Sequence, residues 1–212
     1  MPDYELHERV ECARHALAID DERDAFHPLL WDELAEERRA KEAGKAREKA
    51  SKKAALAKTK IERAKLKAQA AHFADRERHF RDRMQQVWFT GMHADVGGGY
   101  PDESLSYVSL LWMMEEAEKA GLRTLVSIKD RFFALANSYG PMHDSRSGIA
   151  SYYRYQPRKI AAWLHISDEK YGARYLMLRD PDIRDDEGRV RGLLRCVCVH
   201  ESVIARINSG TV

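Results

Sequence analysis

A histidine in a glycine-rich stretch is the residue best placed to do chemistry in this sequence. His93 follows a short β-prone run at 87–89, with Gly91 before it and three consecutive glycines after it. Glycines let a backbone approach a ligand closely, and open α/β folds place their sites at the carboxyl ends of strands. An imidazole at such a point can take a proton from a hydroxyl group and return it to a leaving group. We therefore take His93 as the candidate catalytic residue.

The same stretch allows other interpretations. Asp95, Gly97, Gly98 and Gly99 could shape the loop or form a secondary site, or His93 and Asp95 could simply cap a turn. Glycines before a helix can also cradle a phosphate group through their N–H groups. The spacing matches neither G-x-G-x-x-G nor G-x-x-x-x-G-K-[ST], which argues against a phosphate site.

Two further histidine positions merit comparison. His200 ends an apolar run near the C-terminus, where it is a second candidate site residue or a helix-entry residue beside Glu201. His143, Asp144 and Ser145 have the residue types of a catalytic triad, but triads are assembled in space from separate elements. Because these three are adjacent in sequence, we expect them to form a turn or a cap.

A serine nucleophile motif is missing from the sequence. A nucleophile elbow has the pattern G-x-S-x-G, and none of the twelve glycines is followed by serine two residues later. We also find no group of His, Cys and acidic residues with a spacing typical of a metal site. No cofactor or metal is therefore predicted.

The elements that must position these residues form an α/β pattern. Residues 1–35 begin with a short helical apolar face. Residues 33–86 are predicted to form one long helix, and Gly44 is the place where that helix could turn back on itself. Residues 87–122 predict a strand, a tight loop and a helix ended by Gly121. A helix at 123–136, a strand at 193–199 and a terminal helix after His200 complete the prediction.

Charge is distributed unevenly along the chain. Arg38 to Lys67 contains thirteen Lys or Arg and three Glu, whereas the first 37 residues contain twelve acids and three Arg. The basic tract could be a solvated helix, a surface for anionic lipid headgroups or a nucleic-acid contact. Residues 32–72 lack aromatic side chains that would stack on bases, so nucleic acid is the less favoured partner.

The pattern of apolar residues argues against a membrane-spanning segment and against an N-terminal secretory signal. No apolar run approaches the roughly 18 to 20 residues that a membrane span needs. The acidic N-terminus lacks the apolar core of a secretory signal. We therefore expect the chain to be cytoplasmic as made.

The glycine-rich stretch also carries a family resemblance. Residues 87–100, VWFTGMHADVGGGY, resemble the signature V-W-F-x-G-x-H-x-D-x-G-G-G-Y of an α/β-hydrolase family that includes the catalytic domain of type VI secretion phospholipase effectors. Three other stretches are similar to the family in order and approximate spacing: 14–31 (with RHALAIDDER), 143–158 (with HDS and YRYQPR) and 200–203 (HESV).

The resemblance implies a serine esterase fold with a Ser-Asp-His triad that acts on lipid esters. His93 would be the histidine of that triad, and the serine and the acid would lie upstream of the stretch that begins at Arg14. We therefore expect this chain to correspond to the C-terminal part of the family domain. If it is part of an effector, export by type VI secretion is also implied.

These observations combine into one hypothesis and one alternative. Residues 1–35 and 87–212 would form a partial α/β-hydrolase-like domain, with 36–86 as a charged helical insertion. The chain would be inactive alone and would pair with a complementary N-terminal half to hydrolyse phospholipid. In the alternative, it is a non-catalytic interaction module whose basic helix binds a partner, an anionic membrane or nucleic acid.

Overall fold

The computed structural model describes residues 4–156 and 198–210 of the chain. Helices surround a small parallel sheet, so the fold is mixed α/β, as predicted. In chain order the elements are β1 (Ala13–Ala18), α1 (Glu33–Leu56), α2 (Lys60–Asp82), β2 (Met84–Phe89), α3 (His93–Gly97), α4 (Ser104–Lys119), α5 (Val126–Leu135), β3 (Cys198–Val199) and α6 (Glu201–Ser209), with 3-10 turns at Asp24–Phe26 and Gly148–Tyr152.

The sheet brings the segments after β1 and β2 together. Its strand order is β1-β2-β3, and both pairings are parallel. Ala13 pairs with Met84 and Ala18 with Phe89 at the two ends of the β1–β2 register. The hydrogen bonding continues past the strands, because the Asp20 amide donates to the carbonyl of Gly91 at 3.2 Å. Parallel strands end at the same edge, so residues 19–21 lie beside the glycine-rich stretch.

The predicted helical face near the N-terminus is wrong, because those residues form β1. Leu17 and Ala18 are buried in the sheet. A short apolar run fits a helix or a strand equally well in sequence. The choice here is made by pairing with β2, whose residues are about seventy positions away.

The predicted long helix is interrupted, but not at Gly44. It forms an antiparallel hairpin of α1 and α2 joined by residues 57–59. Ala57 is extended, and the Thr59 side chain caps α2 by accepting from the Glu62 amide at 3.1 Å. Gly44 lies inside α1, where an added Cβ would come within 3.2 Å of Glu77 Cδ on α2. Its role is therefore close packing between the helices.

Small residues form the seam of this hairpin. The buried positions of α1 are Glu36 and five alanines, and from Glu36 onward they are three, four or seven residues apart: Ala35, Ala40, Ala43, Ala50 and Ala54. Such spacing places them on one face of a helix. The hairpin therefore has a narrow apolar seam and largely exposed outer faces.

A buried ion pair fixes the base of the hairpin to the rest of the molecule. Glu36 of α1 accepts two hydrogen bonds from Arg83, at 2.5 and 2.6 Å, and the Arg83 side chain is 0% exposed. Arg83 also donates to the carbonyls of His7 and Val10 in the N-terminal segment. One guanidinium thus joins three segments of the chain.

Helices α3 and α4, which follow β2, pack against the sheet. Ala18, Val87, Phe89 and Val96 form a core cluster against which Trp112 of α4 packs. The predicted end of α4 at Gly121 is confirmed: Gly121 has a φ of +101°, and the next amide, of Leu122, donates to the carbonyl of Ala117. This core sets the position of α3 relative to the strands.

The C-terminal elements return to the sheet beside β2. Val87 pairs with Cys198, and α6 is held by Arg206, which donates to the carbonyls of Gly140 and Ser138 at 2.7 and 3.2 Å. Of the strand predicted at 193–199, residues 193–197 lie outside the described residues. The remaining two residues are a strand, as predicted.

Candidate functional site

Three carboxylates hold the backbone of the glycine-rich stretch. The consecutive amides of Gly91, Met92 and His93 donate to Asp20 Oδ2 at 2.6 Å, Asp95 Oδ2 at 2.9 Å and Asp21 Oδ2 at 2.9 Å. Two of these acids come from the segment after β1 and one comes from the stretch itself. Hydrogen bonds to ionised acceptors are stronger than neutral ones, so the path of this backbone is firmly defined.

Asp21 is the most buried of these acids. Its carboxylate is 0% exposed and accepts from the side chain of Arg23 at 3.1 and 2.7 Å as well as from His93 N. Burial raises the pKa of Asp21, but the hydrogen bonds from Arg23 and from the His93 amide outweigh it and leave the pKa below its ordinary value. The group therefore stays ionised at neutral pH.

His93 lies at the first position of α3, where the sequence predicted a loop. Its side chain is exposed, and its ring contacts Phe26 edge-on at 5.1 Å between centroids. The Arg23 guanidinium lies over the Phe26 ring, 3.5 Å from its centroid. Within residues 4–156 and 198–210, no side chain hydrogen bonds to the His93 imidazole.

A cavity opens beside His93, between β1 and the helices that follow β2. It has a volume of about 540 Å³. Its lining is mostly apolar, with Ala16, Val96, Met113 and Phe132 among the contributors, and His93 lies on its wall. Neither Asp95 nor His143 is among its lining residues.

The clearest acid–base geometry involves a histidine that the sequence did not single out as catalytic. The Nδ1 atom of His143 lies 2.6 Å from Asp95 Oδ1, and the Asp95 side chain is 1% exposed. The His143 amide donates to the other carboxylate oxygen at 3.2 Å. Since a carboxylate only accepts, Nδ1 carries the proton, and the Nε2 atom is left to accept a proton from elsewhere.

Aromatic packing also orients the His143 ring. Tyr100 stacks on it with 3.9 Å between centroids and 14° between planes. The His143 side chain remains 25% exposed, so the ring is held but reachable. An oriented, partly exposed imidazole beside a buried carboxylate has the geometry that a general base and its orienting acid require.

The turn predicted around His143 is present in part. Asp144 Oδ1 accepts from the Arg146 amide at 2.8 Å, and the Ser147 amide donates to the carbonyl of Asp144, as in a turn. His143 differs, because its partner Asp95 is 48 residues away. Sequence adjacency correctly argued against a triad of neighbours but gave no signal for this distant partner.

Gly91 leaves the space that Asp95 needs in order to pair with His143. Its φ is +110°, and a Cβ at this position would overlap Cβ of Asp95. Gly98 and Gly99 also have positive φ angles, of +85° and +118°, where α3 ends. An added Cβ at Gly97, by contrast, would meet no atom within 4 Å.

Comparison with known proteins gives a family for the chain. The family model described as "T6SS, Phospholipase effector Tle1-like, catalytic domain" matches residues 1–116, which is more than half of the sequence. The chain belongs to this Tle1-like family.

One curated protein is also similar. The uncharacterized protein YEL023C of Saccharomyces cerevisiae is 31% identical over 96 residues, which cover 41% of this chain and 13% of the yeast protein. The chain therefore spans a small part of the length of that relative. No solved structure matches the chain.

The Tle1-like match covers the first part of the site. It extends from the N-terminus through β1, the hairpin, β2 and α3 into α4, so it includes Asp21, His93, Asp95 and the three glycines. His143 and His200 lie beyond residue 116. In this Tle1-like chain the Asp95–His143 pair therefore joins a residue inside the match to one outside it.

His200 has a different environment from the other two histidines. It precedes α6, its Nδ1 atom lies 2.9 Å from Ser202 Oγ, and its ring stacks on Phe89 at 4.7 Å between centroids. Burial lowers the pKa of His200. These contacts give His200 the helix-entry position that the sequence analysis held as its alternative.

The described residues of this Tle1-like chain offer neither a metal site nor a membrane-spanning helix. In that part of the chain no group of three or more His, Cys, Asp and Glu side chains is arranged to hold a metal ion. Among the same residues, no helix has both the length and the apolar character that crossing a bilayer requires.

Proposed function

We propose that this chain carries the acid–base part of a lipid-ester hydrolase site, with His143 as the base and Asp95 as its orienting acid. The observation that carries the proposal is the 2.6 Å contact between His143 Nδ1 and the buried Asp95 carboxylate. Membership in a family of phospholipase effector domains supports the reaction class. The 540 Å³ apolar cavity beside the same stretch supports a substrate with an acyl chain.

The proposed reaction follows from the position of the proton on His143. With Nδ1–H bonded to Asp95, Nε2 takes the proton of a serine hydroxyl as its oxygen attacks the ester carbonyl. His143 then returns the proton to the departing alcohol, leaving an acyl-enzyme. Water activated by the same imidazole attacks this acyl group, which releases the fatty acid and the serine. Buried Asp95 stabilises the imidazolium in both steps.

The serine is proposed to come from a segment with the pattern G-x-S-x-G, which this sequence does not contain. A complementary N-terminal half of the hydrolase domain is the proposed source. The hairpin at 36–86 would then be an insertion into that domain, and the chain alone would be inactive. Delivery by type VI secretion is part of the same proposal.

His93 remains the base that the family resemblance predicts. Its place on the cavity wall and the anchoring of its amide by Asp21 favour a position at the site. It lacks a carboxylate partner among the described residues. In the proposed arrangement with His143 as base, His93 contacts the substrate at the mouth of the cavity.

The experiment measures hydrolysis of a fluorogenic phospholipid by the chain mixed with the segment that carries G-x-S-x-G. His143→Ala should lower kcat by about 10⁶-fold, the loss expected when a triad histidine is removed. Asp95→Asn should act on the same step, whereas His93→Ala should chiefly raise KM. The control is His72→Ala, because His72 is an exposed histidine of α2.

Two results would contradict the proposal. If His93→Ala abolished turnover while His143→Ala retained it, the base predicted from the resemblance would be right and the geometric assignment wrong. If the mixture hydrolysed no lipid ester while both components were folded, the hydrolase proposal itself would fail.

A further inference from the structure

The tip of the helical hairpin is a concentrated patch of positive charge. We define the hairpin tip as residues 49–67, which include the end of α1, the turn at 57–59 and the start of α2. It contains eight Lys or Arg and one Glu: Lys49, Lys52, Lys53, Lys58, Lys60, Arg63, Lys65 and Lys67, with Glu62. All nine of these side chains are exposed.

The cations of the tip differ from those at the base of the hairpin in their pairing. Near the base, Lys41 pairs with Glu37 at 2.9 Å, and Arg81 pairs with Glu77 at 2.9 Å. None of the eight tip cations forms an ion pair with a carboxylate of the described residues. Their charge is therefore uncompensated within that part of the chain and is open to an external anion.

Two large aliphatic side chains stand in the middle of this charge. Leu56 and Ile61 flank the turn and are 82% and 84% exposed. Exposing both costs hydration free energy that nothing within the described fold recovers. Because Leu56 and Ile61 lie at the hairpin tip, a flat apolar surface can cover both side chains without contacting the rest of the molecule.

The hairpin is long enough to present this tip away from the site. Helix α1 has 24 residues, and at 1.5 Å per residue it is about 36 Å long. Its other end is held by Glu36 and Arg83 beside the sheet. The tip therefore lies at the end of the hairpin that is away from the sheet.

We propose that the hairpin tip docks on the surface of an anionic phospholipid bilayer. Lysine ammonium groups would pair with headgroup phosphates while their stems lie along the apolar boundary. Leu56 and Ile61 would insert shallowly among the acyl chains. This inference concerns binding only, and it holds whether or not the chain takes part in ester hydrolysis.

A bilayer fits the tip better than a nucleic acid. Single-stranded nucleic acids are bound in part by stacking of their bases on aromatic side chains, and residues 32–72 contain no Phe, Tyr or Trp. Phosphate binding alone would use the cations but would leave Leu56 and Ile61 exposed to water. An interface that is both anionic and apolar accounts for both features of the tip.

The test is co-sedimentation of the full chain with vesicles of phosphatidylglycerol and phosphatidylcholine, compared with vesicles of phosphatidylcholine alone. We expect binding to the anionic vesicles only, weakening as salt is raised because exposed charges are screened. K58E/K60E should weaken binding by about 25-fold or more, at about fivefold for each lysine near a charged surface. L56S/I61S should weaken it by about tenfold.

Matched controls separate the tip from general charge and general apolarity. K41E/R78E makes the same change in net charge near the base of the hairpin, where both residues are exposed. L122S/L125S removes two exposed leucines elsewhere, which are 56% and 72% exposed. Both controls should bind as the unmodified chain does, and circular dichroism should show equal helix content in all variants.

Three results would overturn the proposal. Equal binding to neutral and anionic vesicles, or none to either, would remove the electrostatic basis. Equal losses in K58E/K60E and K41E/R78E would show diffuse attraction and no specific tip. Tighter binding to duplex DNA than to anionic vesicles, unaffected by L56S/I61S, would assign the tip to nucleic acid.

Discussion

Replacing Glu36 by Gln should strongly destabilise the protein, although the change is nearly isosteric. Glu36 accepts two hydrogen bonds from the fully buried Arg83 and one, at 2.6 Å, from Arg39. A glutamine retains one acceptor oxygen but loses the charge, so the Arg83 cation remains buried without its counter-charge. Removing one partner of such a pair costs about 3–5 kcal/mol, a large share of the roughly 5–15 kcal/mol that stabilises a typical domain.

The assay is urea unfolding followed by circular dichroism at pH 7. With a slope of about 2 kcal/mol per molar urea, a loss of about 4 kcal/mol moves the midpoint down by about 2 M. Glu37→Gln is the matched control, because Glu37 is the next residue of the same helix and pairs with the exposed Lys41. That exposed i,i+4 pair contributes about 0.3–0.5 kcal/mol.

A pH series gives the same prediction a second test. Burial raises the pKa of Glu36, but the hydrogen bonds from Arg83 and Arg39 outweigh it, and the pKa is lowered overall. The unfolded chain then takes up this proton more readily than the native protein, so this stability is present above the ordinary glutamate pKa of about 4.3 and is lost as pH falls below it. Equal midpoints for the Glu36→Gln and Glu37→Gln variants at pH 7 would refute the buried pair.

Two further substitutions test the geometry around β2. Gly91→Ala should lower stability by about 1–3 kcal/mol or more, since φ is +110° and the new methyl would overlap Asp95. The control Gly97→Ala, with open space at its Cβ, should change the melting temperature little. Equal melting temperatures for the two variants would contradict the steric role of Gly91. His200→Asn should flatten the loss of stability between about pH 7 and pH 5.5, near the ordinary histidine pKa of about 6.5. Burial lowers the pKa of His200, so the unfolded chain binds the proton more readily and acid destabilises the native state. Asparagine is chosen because it can still cap the helix. Burial also lowers the pKa of His15, so part of the dependence of stability on pH should remain in this variant. If urea titrations showed the same dependence of stability on pH as in the unmodified chain, His200 would not contribute to it.

Local chemistry was enough to predict β2 and α4 on either side of the glycine-rich stretch, but not the short helix α3 within it. The β-prone run became β2, although the strand begins at Met84, three residues earlier than predicted. Gly121 ends α4 because a left-handed residue there satisfies the last carbonyl groups, which is a purely local effect. Features of this kind depend on residues within one or two turns of each other.

Features set by distant partners could not be predicted in this way. Residues 13–18 form a strand only because β2 pairs with them. The break in the long helix follows from the Thr59 cap, while the more conspicuous Gly44 serves contact with Glu77 across the seam. Asp95 and His143 approach each other only through the packing of α3 and the segment after α5, and no spacing rule in the sequence links them.

The length of the antiparallel hairpin has no effect on the positions of the two strands that it connects. Its two helices leave the sheet near Glu33 and return to it near Asp82, so strands β1 and β2 remain neighbours whatever the reach of the hairpin. Removing or adding seven residues in each helix would shorten or lengthen it by about 10 Å while leaving both strands in register. This connection can therefore serve as an adjustable spacer, whose extent evolution or an engineer can change without disturbing Asp20, Asp21 or the stretch that they anchor.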